Sequence, residues 1–160
     1  MKLNLKQLQA LEILLQKLNH NYNYVSDDEQ LSLVININNS LWKGNLIKYD
    51  RSYVSNFYID YDGWIESYSY NQSQIFSIPA ESFNARKYEN IKLESMYLLI
   101  SELIPIVREI STFLIDLNPV LYNAVNLTNN LTLPFLLLNP TDEFEIVSIV
   151  SSPINECTHS

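Results

Sequence analysis

The sequence predicts an α+β fold: a meandering antiparallel sheet with an N-terminal helix and a long Pro-interrupted helix packed on one face. Three observations predict it. The chain opens with a helical pattern, an Asp-Gly hairpin lies near its middle, and the apolar spacing changes from two to about 3.6 residues after Pro79. A chain of 160 residues can form its own core. We expect one domain over residues 1–153 and a flexible tail over 154–160.

The first helix is predicted over Leu3–Leu18, where leucines recur at spacings of three and four residues. Four polar side chains lie off this apolar stripe, Lys6, Gln9, Glu12 and Gln16. We expect them on the solvent side of the helix. Ser26–Glu29 has the spacing of a capping box, but the alternating residues of Leu31–Ile37 favour an acidic turn leading into a strand.

A hairpin is predicted over Phe57–Tyr70, closed by a two-residue turn of Asp62 and Gly63. This turn would place Tyr61 opposite Trp64 and would crowd aromatic side chains onto one face. We expect that face to pack beneath the later helix. Further strands are predicted on either side of the hairpin, over Leu41–Tyr49 and Gln74–Ile78.

The longest helical pattern covers Tyr88–Leu117 and contains Pro105. A proline inside a helix removes one backbone hydrogen bond and clashes with the preceding turn. We therefore expect a kink or a break near Ser101 and Glu102.

The last part of the chain is predicted to return to β structure. Val120–Leu127 is ambiguous and is interpreted as a short helix or a loop. Leu131–Leu138 and Phe144–Val150 are predicted strands, and Pro134 indicates an edge position or a bulge in the first of them.

Charge excludes two classes of partner. The formal net charge is −8, and no Lys or Arg follows Arg108. Nucleic acids and anionic membrane surfaces are bound by cationic residues, so neither partner is expected. Neither apolar run has the composition of a signal peptide or a membrane span. Cys157 is the only cysteine, which fits a reducing compartment, and we expect a cytoplasmic protein.

The residues that carry common catalytic chemistry are scarce. Gly44 and Gly63 are the only glycines, too few for a phosphate-binding loop or a dinucleotide fingerprint. His20, His159 and Cys157 are the only histidines and cysteine, which leaves little for a metal site or a nucleophile–base pair. The sequence therefore predicts no enzyme, no cofactor and no metal.

One carboxylate cluster keeps a chemical alternative open. Asp60, Asp62 and Glu66 lie around the predicted hairpin turn. Paired carboxylates can perform acid–base chemistry or bind a hard cation. A solvated turn explains the same residues more simply.

Exposed aromatic and acidic residues are the candidates for binding a partner. Five tyrosines could either line a recognition surface or pack under a helix: Tyr22, Tyr24, Tyr49, Tyr53 and Tyr58. The predicted partner-binding residues are Tyr58, Asp60, Asp62, Trp64, Asp142, Glu143 and Glu145. Their acidity favours a protein partner with a basic surface. The sequence leaves the oligomeric state open.

The order of segments from Leu41 onward resembles a known family. The aromatic strands LWKGNLIKY and FYIDYDGWIESYSY lead through IPAESFNARKY into the helix KLESMYLLISELIPIVREISTFL. An amide-rich segment and the pair LTLPFLLLN and FEIVSIV follow. This order is similar to that of the YezG-like immunity proteins, antitoxins that neutralise a toxin encoded beside them. The resemblance implies a binding function and no particular site residue.

Three hypotheses about function follow. The first is a stoichiometric inhibitor, a cytoplasmic immunity protein that blocks a toxin by binding it. The second is a phage-encoded inhibitor of a bacterial defence complex that uses an acidic surface. The third is a carboxylate-based enzyme or cation-binding module around Asp60, Asp62 and Glu66.

Overall fold

The structure is a computed structural model. It describes residues 2–47, 57–60, 64–68, 74–79, 85–112 and 119–154, and for 57–60, 64–68, 74–79, 85 and 86 it describes the backbone alone. The helices are α1 (Leu5–Tyr22), α2 (Leu93–Met96) and α3 (Ile100–Ser111), with 3-10 turns at Ala85–Tyr88 and Tyr97–Leu99. The strands are β1 (Lys2–Asn4), β2 (Glu29–Ile37), β3 (Ser40–Asn45), β4 (Phe57–Asp60), β5 (Trp64–Tyr68), β6 (Gln74–Pro79), β7 (Val120–Asn126), β8 (Thr132–Leu137) and β9 (Glu143–Pro153).

The predicted α+β class is confirmed. Six of these strands form an antiparallel sheet in the order β1-β9-β2-β3-β7-β8. The strands of the predicted hairpin region, β4-β5-β6, form a separate three-stranded antiparallel sheet. The described strands therefore make two sheets where one had been expected.

Helix α1 lies at the centre of the core. It contacts α3, β2 and β4, which come from distant parts of the chain. Leu5, Leu8, Leu11, Leu14, Leu15 and Leu18 are completely buried. The expectation that Gln9 and Glu12 face solvent is wrong, because both are buried. An amphipathic pattern shows one apolar face, but it does not show that other elements cover the polar side as well.

The start of α1 is fixed by a capping box. The Gln7 backbone N–H donates to the Asn4 side chain at 2.9 Å, and the Asn4 backbone N–H donates to Gln7 Oε1 at 3.1 Å. Leu3 was predicted to be helical, but it belongs to β1 and pairs with Phe144 of β9. The helix ends at Tyr22, where Asn23 adopts a left-handed conformation.

The hairpin is confirmed, but its predicted register is wrong by one residue. Asp60, and not Tyr61, lies opposite Trp64, and Ile59 lies opposite Ile65. Three residues therefore separate the last paired positions, and connections of that length are also common in hairpins that contain glycine. The turn itself, and the packing of the aromatic side chains on the later helix, lie outside the described residues.

The predicted long helix is divided into α2, a 3-10 turn and α3. Pro105 lies inside α3, and the helix runs through Ser101 and Glu102 although Pro105 has no N–H to donate to the Ser101 carbonyl. A kink at that position stays a prediction. Residues 113–117, which complete the predicted helix, lie outside the described part of the chain.

Val120–Leu127 was interpreted as a short helix or a loop, and this was wrong, because Val120–Asn126 forms β7. Asn123 has a φ of 52°, which interrupts the alternation that would have indicated a strand. Gly44 of β3 permits the close approach of β7, since a Cβ there would lie 2.7 Å from Leu121 Cγ.

The edge position of β8 and the turn at Ser26–Glu29 agree with the predictions. β8 lies at one edge of the six-stranded sheet, as Pro134 had indicated. Ser26–Glu29 forms a turn and not a helix start, as expected, and Ser26 Oγ lies 2.7 Å from Asp28 Oδ1.

Among the described helices, none is long and apolar enough to cross a bilayer.

Candidate functional site

A groove of about 540 Å³ opens between the loop that follows α1 and the segment that precedes α2. It is lined by Tyr22, Asn23, Tyr24, Val25, Ser26, Glu29, Glu89, Asn90, Ile91, Lys92, Leu93, Glu94 and Ser151. We call it the acidic groove. Its lining comes from three segments that are far apart in the sequence, so it forms only when the chain folds.

Hydrogen bonds tie the two walls of the acidic groove together. The Tyr24 hydroxyl donates to the Tyr88 carbonyl oxygen at 2.6 Å. The Tyr88 hydroxyl in turn donates to Glu102 Oε2 on α3 at 3.2 Å. Lys87 Nζ lies 2.8 Å from the same carboxylate oxygen, and these contacts hold the pKa of Glu102 below its usual value. The loop wall of the groove is therefore connected through Tyr88 to α3.

The loop wall is shaped by its own backbone. Asn23 is left-handed with a φ of 53°. The Val25 N–H donates to Asn19 Oδ1 of α1 at 3.1 Å, which returns the loop toward the helix. Burial raises the pKa of the Tyr24 hydroxyl, so this group stays protonated and can keep its bond to Tyr88.

The groove presents negative charge beside aromatic rings. Its lining holds three carboxylates, Glu29, Glu89 and Glu94, against one cation, Lys92. Tyr22 and Tyr24 are half-buried, with ring centroids 6.3 Å apart. Carboxylates and tyrosine faces both attract cationic side chains. The arrangement can accept a Lys or Arg side chain of a partner protein.

A second polar cluster is buried at the end of β3. The Leu46 N–H donates to Glu12 Oε1 at 2.8 Å, and the Ile47 N–H donates to Glu12 Oε2 at 2.9 Å. The Asn45 amide donates to the Leu31 carbonyl at 2.7 Å and accepts from Ser32 Oγ at 2.8 Å.

Burial raises the pKa of Glu12 to about 8, although the two backbone bonds and the Asn45 side chain oppose this increase. The carboxyl is 1% exposed, so no substrate in solution reaches it. The Glu12 carboxyl accepts hydrogen bonds from two backbone N–H groups where the chain leaves β3. Its role is therefore structural. Sequence reasoning missed it because helical periodicity assigns it to the polar face.

The predicted acidic residues near β9 are exposed but lie apart from the groove. Asp142, Glu143 and Glu145 are all exposed, and Glu145 lies opposite Lys2 of β1. Ser151, which lines the groove, is six residues further along the strand than Glu145. At about 3.3 Å per residue the two sites are roughly 20 Å apart.

The other predicted partner-binding residues belong to the small sheet. Tyr58, Asp60 and Trp64 lie on β4 and β5, and Asp60 pairs with Trp64, but their side chains lie outside the description. Asp62 lies outside the described residues altogether. Any role of these residues or of the Glu66 carboxylate stays a prediction.

Sequence reasoning found part of the groove. It named Tyr22 and Tyr24 as possible recognition residues, and both line it. It missed Glu89 and Glu94, because the helical pattern over Tyr88–Leu117 singled out only the apolar stripe.

Comparisons with protein-family models, characterised proteins and solved structures found no match to this chain. Within the described ranges, no group of three His, Cys, Asp or Glu side chains is placed to hold a metal ion.

Proposed function

We propose that this protein is a non-enzymatic, cytoplasmic inhibitor that binds a partner protein with a basic surface, as an immunity protein binds its toxin. The observation that carries the proposal is the acidic groove. It combines three carboxylates with two half-buried tyrosines. Tyrosine is a common anchor in protein interfaces, and opposite charge selects the partner and speeds association.

The chain's charge supports the same partner. The formal net charge is −8, and Asp27 and Asp28 are exposed directly before Glu29. Toxins that act on nucleic acids have basic clefts, which an acidic protein can cover. The resemblance to the YezG-like immunity proteins supports the proposal from a separate direction.

The experiment is co-purification of the chain with the product of the neighbouring reading frame, followed by titration calorimetry. Glu94→Lys reverses one exposed charge of the groove. We expect it to weaken binding roughly tenfold, as charge reversals at an interface do. Glu109→Lys is the matched control, because Glu109 is an exposed glutamate on α3 away from the groove lining. It should bind as the parent does.

A further variant separates the two acidic sites. Glu143→Lys changes the exposed residue at the start of β9. A loss of binding in Glu143→Lys with none in Glu94→Lys would move the interface to the predicted β9 residues. If the chain neither binds the neighbouring product nor protects cells from it, the immunity proposal is wrong.

A further inference from the structure

Among the described strands, the two edges of the six-stranded sheet are unlike each other. β1, at one edge, has three residues and carries Lys2. β8, at the other, has six residues and no charge. Short and charged edge strands are the usual protection against pairing with another chain. β1 has that protection and β8 lacks it, apart from Pro134.

The side chains on β8 form an apolar surface. Phe135 is 63% exposed and Leu137 is 79% exposed. The Phe135 ring packs edge-on against Tyr122 of β7, with centroids 5.8 Å apart, so it is held in place. Leu131, just before the strand, is also exposed. We call Phe135, Leu137 and Leu131 the β8 patch.

The backbone at the end of β8 has no described strand on its outer side. The Leu138 N–H donates to the Pro119 carbonyl at 2.8 Å, so Leu138 faces β7. Backbone groups of alternate residues in an antiparallel strand face the same neighbour. Leu136 therefore faces β7 as well, and the N–H and C=O groups of Phe135 and Leu137 face the open edge.

Charge indicates what covers the β8 patch. No residue from Leu117 to Thr141 is charged, in a chain whose net charge is −8. A partner chosen by its positive charge would find nothing to pair with on this hairpin. Two copies of this chain repel each other over most of their surfaces, and an uncharged hairpin is where they can meet with the least repulsion.

We propose that a second copy of this chain pairs antiparallel along β8, about a two-fold axis at Leu136. Phe135 then lies opposite Leu137 of the second copy, and Leu137 opposite Phe135 of the second copy. Each of these two pairs exchanges both of its backbone hydrogen bonds. Each copy contributes one strand of six residues, whereas stable interfaces bury ~1,200 Å² or more, so we expect a weak dimer that depends on concentration.

The test is sedimentation velocity on the full chain, from low micromolar to near-millimolar concentration. We expect a reversible dimer. Leu137→Glu places a carboxylate against Phe135 of the second copy and should raise the dimer dissociation constant roughly tenfold or more, since the charge is buried against an apolar ring and the two introduced carboxylates repel each other. Leu98→Glu is the matched control, because Leu98 is 74% exposed on a helical turn outside the hairpin, and it should associate as the parent does.

Hydrogen exchange gives a second measurement that needs no variant. The amides of Phe135 and Leu137 should be protected in concentrated samples and exchange rapidly in dilute ones. A chain that stays monomeric throughout overturns the proposal, as does a dimer that Leu137→Glu leaves intact. A monomer in which Leu137→Glu weakens toxin binding also overturns it, and would assign β8 to the partner. None of these results depends on the acidic groove, which Glu94→Lys tests separately.

Discussion

Among the described carboxyl groups, that of Glu12 has the pKa that departs furthest from its usual value. Its pKa is raised to about 8 by burial, while an unfolded chain leaves a glutamate near its usual 4.3. Between those values the unfolded state has lost a proton that the folded state keeps. Stability from this group is therefore present below the unfolded pKa and is lost as the pH rises toward 8.

We predict that Glu12→Gln removes this dependence. The free energy of unfolding of the parent should fall relative to the variant by a few kcal/mol between about pH 4.5 and pH 8. Urea unfolding at a series of pH values measures the difference, in which the contributions of other groups cancel. A difference that stays flat over this range would mean that the folded protein holds Glu12 as a carboxylate.

Glu102→Gln is a control in which the pH dependence of the free energy of unfolding should have the opposite sign. Contacts with Lys87 and Tyr88 lower the pKa of this exposed carboxyl. Its contribution is present above the unfolded pKa and is lost as the pH falls through the lowered value. The Glu102→Gln difference should therefore change in acid and stay flat between pH 5 and pH 8.

At the scale of elements, α1 depends on its first turn. The capping box of Asn4 and Gln7 satisfies two backbone N–H groups, and the helix that it starts fills the centre of the core. We predict that Asn4→Ala lowers the free energy of unfolding by about 1 kcal/mol. Asn4→Asp keeps an acceptor at the cap and should cost much less. Thermal unfolding followed by circular dichroism compares the two, and equal losses would show that the cap contributes nothing.

Elements with a regular apolar period could be predicted from sequence, and the others could not. α1, β2, β8 and β9 all follow such a period. β7 was missed because Asn123 is left-handed, and β1 because three residues carry no period. The acidic groove joins residues near 25, 90 and 151. Sequence patterns describe neighbours along the chain, so they cannot show that these residues meet.

At the scale of the molecule, net charge predicts opposite responses to salt. Binding to a basic partner relies on attraction, which salt screens beyond about 10 Å at 0.1 M. Pairing through β8 works against the repulsion between two chains of charge −8, and salt screens that too. We predict that added NaCl weakens toxin binding and strengthens the dimer. Calorimetry and sedimentation at low and high salt measure the two affinities. If added NaCl weakened both or strengthened both, one of the two proposals would be wrong.

The position of β9 has a consequence for synthesis on the ribosome. β9 lies between β1 and β2, so the last of the described strands fills the gap between the first two. Until residue 143 emerges, β2 has an open edge and Leu31, Leu33 and Ile35 lack part of their cover. Pairing of such distant segments is slow, and exposed edges aggregate. A ribosome stalled before β9 should therefore carry an unfinished sheet that needs a chaperone, and the emergence of β9 is the step that closes the six-stranded sheet.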